Sequence, residues 1–190
     1  MRGMRSGTRN HVSKAVNGWV VLLAFSIGMP ATALAQDRKF EYEFDHEKPW
    51  VELQSQLPPY PSEENLLKFD AGPVSSNLHY VDAPSIVVGE DGVVRYTLVI
   101  KSPQGAMNVS YEGIRCQTAE KRTYAYGRND KTWARARTSR WMDLENIAQN
   151  YAQRALYRYF FCPLGVDMVK NTDEAIQALK AGIHPRAVRY

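Results

Sequence analysis

The densest run of residues able to do chemistry is Trp133-Ala134-Arg135-Ala136-Arg137-Thr138-Ser139-Arg140-Trp141. On a strand, successive side chains alternate, so Trp133, Arg135 and Arg137 share one side. The two alanines face the other side, where something packs closely. Guanidinium forks beside indole rings can hold a phosphate, a carboxylated sugar or an acidic peptide. Arg140 and Trp141 extend the same candidate site. Arg115, at the end of Tyr111-Glu112-Gly113-Ile114-Arg115, is a weaker one. An edge strand whose arginines pair with acids elsewhere in the chain would show the same residues. Both readings stay open at this point.

Other chemistry is sparse. The three histidines beyond residue 35 are His46, His79 and His184, far apart and without ligand-pair spacing. His79 falls in an apolar stretch that reads as strand, which suits a hydrogen-bonded structural role. No nucleophile elbow, phosphate loop or dinucleotide fingerprint occurs. No cofactor or metal is expected. Two cysteines, Cys116 and Cys162, lie about 46 positions apart, and no third remains. In an oxidising compartment an even count favours a disulfide. Closing such a loop stabilises the fold by roughly 4 kcal/mol in the chain-entropy model.

These groups need elements to position them. Val93 to Lys101 is the clearest strand, with Val94, Tyr96, Leu98 and Ile100 on one side and Arg95, Thr97 and Lys101 on the other. Turns at Gly89–Gly92 and Ser102–Gly105 flank it. Ser85–Val88, Asn108–Cys116, Arg122–Tyr126 and Thr132–Ala136 read as its companions. The short links between them make neighbours antiparallel. Two helices follow. Asp143 is the expected cap of the first, whose apolar stripe runs Leu144, Ile147, Tyr151, Ala155, Tyr159. Thr172 is the expected cap of the second, and Gly182 its stop. The expected fold is therefore α+β. An antiparallel sheet of about five strands carries two C-terminal helices on one face, with one disulfide between the layers.

The first 35 residues read as a secretory signal peptide. Arg2, Arg5, Arg9 and Lys14 precede an apolar run from Trp19 to Met29. Pro30 and Ala33-Leu34-Ala35 follow, which places cleavage between Ala35 and Gln36. The run is too short for a transmembrane helix, which needs about 20 residues. No cysteine stands at the cleavage point to take a lipid, so no membrane anchor is expected after processing.

Processing also removes the whole net charge of +4, because residues 36–190 hold 20 Lys+Arg and 20 Asp+Glu. Nucleic-acid binding through bulk charge therefore loses its basis. The remaining charge is uneven: residues 36–94 carry 12 acids and 4 bases, and residues 95–160 carry 12 bases and 5 acids. Either the two regions neutralise each other or a basic face stays open to an anion. Residues 36–61 are acidic and punctuated by Pro49, Pro58, Pro59 and Pro61, and they read as a loosely ordered arm. Residues 62–190 form the single domain.

Glu63-Glu-Asn-Leu-Leu67, Val88-Gly-Glu-Asp-Gly-Val-Val-Arg-Tyr-Thr-Leu-Val99 and Asn108-Val-Ser-Tyr-Glu-Gly-Ile-Arg-Cys116 resemble the CNP1-like family. So do Trp133-Ala-Arg-Ala-Arg137 and Tyr159-Phe-Phe-Cys-Pro163, and the resemblance covers most of 48–163. It implies a small exported protein of Gram-negative bacteria, located in the periplasm. It implies no activity.

Three function classes follow. The foremost is a non-catalytic domain that binds a periplasmic protein or another envelope component. The second is a small-ligand module using the Arg/Trp run, and the third is an enzyme whose site carries no recognised motif. A deep pocket with convergent titratable groups would favour the enzyme, and an open arginine surface the ligand module. A flat apolar patch would favour protein association.

Overall fold

Among the described residues seven strands form one antiparallel sheet. The computed structural model describes residues 49–144 and 148–187. The expected signal segment, its cleavage point at Ala35–Gln36 and His46 lie outside these residues. The strands are β1 (Leu66–Phe69), β2 (Leu78–Val88), β3 (Val93–Lys101), β4 (Met107–Arg115), β5 (Glu120–Gly127), β6 (Trp133–Arg135) and β7 (Met142–Asp143). The first six neighbour one another in chain order, and β7 pairs the other end of β5. The helices are α1 (Tyr151–Leu156), which widens to π geometry over Tyr157–Phe161, and α2 (Thr172–Ala181).

The expected α+β class holds, and the count of about five strands is corrected to seven. β1 is four residues long and β7 only two, so neither carries enough alternation to be read from sequence. β2 begins at Leu78, seven residues before the expected Ser85 start. Its register breaks between Asp82 and Val87, around Pro84, and a bulge lets a strand hold a proline there.

Asp143 pairs Glu120 as part of β7, and the Leu144 amide donates to Ala119 O at 2.9 Å; the residues that Asp143 was expected to cap, 145–147, lie outside the described residues. The second helix is capped by Asn171, one residue before the expected Thr172. The Asn171 side chain accepts from the Glu174 amide at 2.9 Å. The Thr172 hydroxyl instead donates to Ile86 O at 3.2 Å, tying the start of α2 to β2. Gly182 ends α2 in the left-handed region at φ 78, as its position after the apolar run predicts.

Alternation along β3 gives the sheet two distinct faces. On the core face, Val81, Val94, Tyr96, Leu98 and Ile114 join Phe160, Phe161, Ala175 and Leu179 in the main apolar cluster. The Tyr96 and Phe161 rings lie 5.2 Å apart, and Phe69 meets Phe160 edge-on at 5.7 Å. Cys116, just past β4, is disulfide-bonded to Cys162 beyond α1, with Cα atoms 5.5 Å apart. This face also buries one carboxylate. Glu112 accepts from Ser110 Oγ at 2.8 Å, Tyr96 Oη at 3.3 Å and Gln153 Nε2 at 2.9 Å, with Lys121 Nζ 3.9 Å away.

The opposite face is not left to water. Residues 49–61 have no helix or strand and run across it as a cover; the expected arm's first part, 36–48, lies outside the described residues. β3 is consequently buried on both sides over Val93–Val99.

Candidate functional site

The arm face is polar where it is deepest. Arg95 projects from the middle of β3 and is only 3% exposed. A cation in that position requires a partner. Asp91, in the turn before β3, supplies it: Arg95 Nη2 lies 2.6 Å from Asp91 Oδ2, and Nη1 lies 3.1 Å from Oδ1. Burial by itself would lower the Arg95 pKa, but the Asp91 hydrogen bonds outweigh it and hold it raised. Burial likewise pushes the Asp91 carboxyl up, and the hydrogen bonds from Arg95 and the Leu53 amide bring it below its usual value. Gly89 makes room for the pair, because a Cβ there would stand 2.3 Å from Asp91 Oδ1 and 2.8 Å from Arg95 Nη1.

A second carboxylate reaches this pair from the arm. Glu52 Oε1 accepts from the Tyr124 hydroxyl at 2.6 Å and lies 3.6 Å from Arg95 Nη2. Its Oε2 is bonded by Arg122 Nη1 and by Trp141 Nε1, the latter at 3.1 Å. Burial, together with the bond to Glu52, pushes the Tyr124 hydroxyl well above its usual pKa, so it stays a donor. Tyr124 is the bulged residue of β5, opposite the break between Tyr111 and Glu112 in the β4 register. Gly113 clears the space beneath it: a Cβ would stand 2.6 Å from Tyr124 Oη.

The rest of the arm follows the same line. Trp50 Nε1 donates to Asp91 O at 2.7 Å. Its ring meets Trp141 edge-on at 5.8 Å and lies 4.0 Å under the Arg115 guanidinium. The Leu53 amide donates to Asp91 Oδ2 at 2.8 Å, and Arg95 Nη2 donates back to Leu53 O at 3.1 Å. Trp133 Nε1 donates to Pro58 O at 2.9 Å, and its ring packs on Tyr60 at 5.5 Å.

The sequence-derived candidates therefore divide. Trp133 and Trp141 turn their indole N–H groups inward to the arm, and Arg115 stacks on Trp50. Register places Arg135 opposite Ala125 and Trp133 opposite Gly127, both on the arm face, as period-two geometry predicts. Arg137 lies beyond the end of β6. Arg135, Arg137 and Arg140 are exposed, and none of them has an ion pair or hydrogen bond among the described residues. Beside Arg135 a cleft of about 400 Å³ opens between the arm and the sheet edge, lined by Arg122, Tyr124, Ser139, Ser55 and Gln54. Arg122 Nε donates to Ser139 Oγ at 2.8 Å, which orients that guanidinium at the cleft wall.

Sequence reasoning missed Glu52, Asp91, Arg95, Arg122 and Tyr124. Their one sequence signal is an acidic turn residue four positions before a strand arginine, Asp91 and Arg95.

The histidines lie elsewhere. His79 is buried beside a second cavity of about 570 Å³ lined by Asp70, Ser75 and Asn77, and burial lowers its pKa. Its Nε2 lies 3.4 Å from the Tyr151 hydroxyl, which itself donates to Ser75 Oγ at 3.1 Å. Ser75 and His79 thus both meet Tyr151 rather than each other. His184 Nε2 lies 3.0 Å from Glu174 Oε1. Among the described residues no three His, Cys, Asp or Glu side chains converge as a metal site, and no helix is long and apolar enough to cross a membrane.

Comparison with known proteins agrees with the sequence motifs. The profile of the CNP1-like family matches residues 45–180. A curated relative, "Cryptic neisserial protein 1" of Neisseria gonorrhoeae, is 30% identical over 122 residues, covering 58% of this chain and 57% of the relative. The match thus spans little more than half of that protein. No solved structure matches the chain.

Proposed function

The chain belongs to the CNP1-like family, and from that premise we propose that it is an exported, non-catalytic binding domain of the bacterial cell envelope. Its arginine edge holds an anionic partner in the periplasm after the signal peptide is removed at Ala35–Gln36. One observation carries this reading. Most basic groups of the sheet are matched, Arg95 by Asp91, Arg122 by Glu52 and Lys101 by Glu63. Among the described residues Arg135, Arg137 and Arg140 are left unmatched, and Arg135 lines an open cleft. Exposed guanidinium groups next to hydroxyl-lined space suit carboxylate or phosphate recognition. The cleft wall carries the Arg122 and Arg135 guanidinium groups and the Ser55, Tyr124 and Ser139 hydroxyls, and its one carboxylate, Glu52, is already taken up by Arg122, Tyr124 and Trp141.

Two measurements test the proposal. Protein isolated from its native envelope should begin at or within a residue or two of Gln36. An intact mass that retains Met1 overturns the export step. Calorimetric titration of the processed protein with acidic peptides, phosphorylated sugars and carboxylated sugars should give saturable binding to at least one class. That binding should weaken with salt, since exposed charge pairs are screened. Arg135→Ala with Arg137→Ala should abolish it. Binding unchanged in the double variant removes the edge as the site.

A further inference from the structure

The arm crosses a sheet face that is already built to receive an extended acidic peptide, and we infer that residues 49–57 are a stand-in for one. The inference rests on the reading of this domain as a binding module and names the partner's chemistry. A partner protein presents an extended acidic segment with a Trp two residues before a Glu, and it displaces the arm.

The receiving groups come from the sheet and from the turn and loop beside it. Three donors surround one carboxylate, Tyr124 on one oxygen and Arg122 and Trp141 on the other, with the Arg95 guanidinium 3.6 Å away. Arg115 and Trp141 flank one indole ring, and Asp91 O accepts its N–H. Asp91 and Arg95 also read main chain, taking the Leu53 amide and carbonyl. A carboxylate, an aromatic anchor and a backbone amide pair are what a peptide-docking groove recognises. Arg95 Nε, Arg115 Nε and Thr97 Oγ1 on this face are buried without a hydrogen-bond partner, so the arm does not use everything the face offers.

The arm is held in a way that permits release. It adds no strand to the sheet, and Val51 and Leu53 are 75% and 50% exposed, which leaves Trp50 and Leu57 as the apolar side chains it half-buries. Its hold is polar, charge-based and dependent on the two tryptophans. A tethered segment acts at an effective concentration in the millimolar range, so a free peptide of the same sequence competes poorly. A partner with additional acids gains contacts that the arm lacks, to Arg135, Arg137 and Arg140. Apparent affinity is lowered by the fraction of protein whose groove the arm fills, and weakening the arm removes that penalty.

The test uses the full processed chain and a labelled peptide copying residues 49–57, Pro-Trp-Val-Glu-Leu-Gln-Ser-Gln-Leu. Chain carrying Glu52→Gln should bind the peptide about tenfold more tightly than the unaltered chain. The same peptide with Gln in place of its Glu should bind about tenfold more weakly to either protein. Equal affinities for the two peptides, or no binding to a folded Glu52→Gln chain, overturn the inference. Should that variant not fold, hydrogen exchange decides the matter in the unaltered chain. Saturating peptide should speed exchange across 50–57 and leave β3 protected, and unchanged exchange there overturns it. The arginine-edge proposal fails separately. If the peptide frees 50–57 while no envelope anion binds Arg135 and Arg137, the edge reading falls and the groove stands. Anion binding at the edge with 50–57 still protected gives the reverse.

Discussion

The two faces of the sheet each enclose a carboxylate, and they do so by different means. Glu112 on the core face takes its donors from its own strand, from neighbouring β3 and from α1. All of these lie within the layered body and are closed by the Cys116–Cys162 disulfide. Glu52 on the arm face comes from a segment without regular structure and takes its donors from β5 and from Trp141 just before β7. The first carboxylate is part of a core, whereas the second is docked onto a surface. On the reading proposed above, the core face sets global stability, and the arm face, held by polar contacts from a segment without regular structure, is the one that opens to a partner.

The largest effect should come from emptying the core face. Phe161 is fully buried against Tyr96. Phe161→Ala should lower the unfolding free energy by about 3–5 kcal/mol in denaturant titration. Cys116→Ser with Cys162→Ser should follow at about 2–4 kcal/mol. Neither change should alter hydrogen exchange of 50–57 relative to the sheet. Selective loss of arm protection in either variant would show that the two faces are not independent.

The same comparison marks what the sequence could show. The alternation of Val94, Tyr96, Leu98 and Ile100 with Arg95 and Thr97 predicts β3 and also which residues share a face. The Cys116–Cys162 bridge is the pairing that the even count and the expected export predict. What alternation cannot show is that the polar side is buried too. Arg95 reads as a solvated strand residue until Asp91 and Glu52 are placed around it, and Glu52 lies 43 residues away in the chain. Trp133 and Trp141 were sound candidates by residue type, because an indole that stacks on a ligand and one that pins an arm have the same sequence. Only the partner distinguishes them, and for Trp133 that partner is a backbone carbonyl at Pro58.

Acid and base should pull the arm face in opposite directions. Asp91 is held below its usual carboxyl value: burial pushes it up, and the bonds from Arg95 and Leu53 more than reverse this. Its stabilisation is therefore present above about pH 4 and lost as pH falls through the folded value. Asp82, on the same face, is 4% exposed with one oxygen unpartnered, and burial raises it. Its contribution is full below about pH 4 and lost as pH rises through the folded value. Asp91→Asn should thus cost about 2–3 kcal/mol at pH 7 by weakening the hold on Arg95. Asp82→Asn should stabilise the protein by about 1 kcal/mol at the same pH. Unfolding midpoints measured from pH 3 to pH 8 check both. A destabilised Asp82→Asn would mean that the charged form is needed.

The smallest effect on stability should come from the residues proposed to bind. Arg135 and Arg137 are exposed and have no partner among the described residues, so deleting them removes no buried partner there and opens no cavity. Even exposed ion pairs contribute only about 0–1 kcal/mol each, and these arginines make none. Arg135→Ala with Arg137→Ala should therefore shift the unfolding free energy by less than about 0.5 kcal/mol. Removing two positive charges from a basic edge can even raise it slightly. A loss well above 2 kcal/mol would instead mean that these side chains have buried partners, and the edge would join the arm face as structure. Near-zero change in stability beside complete loss of anion binding separates a surface kept for a partner from one kept for the fold.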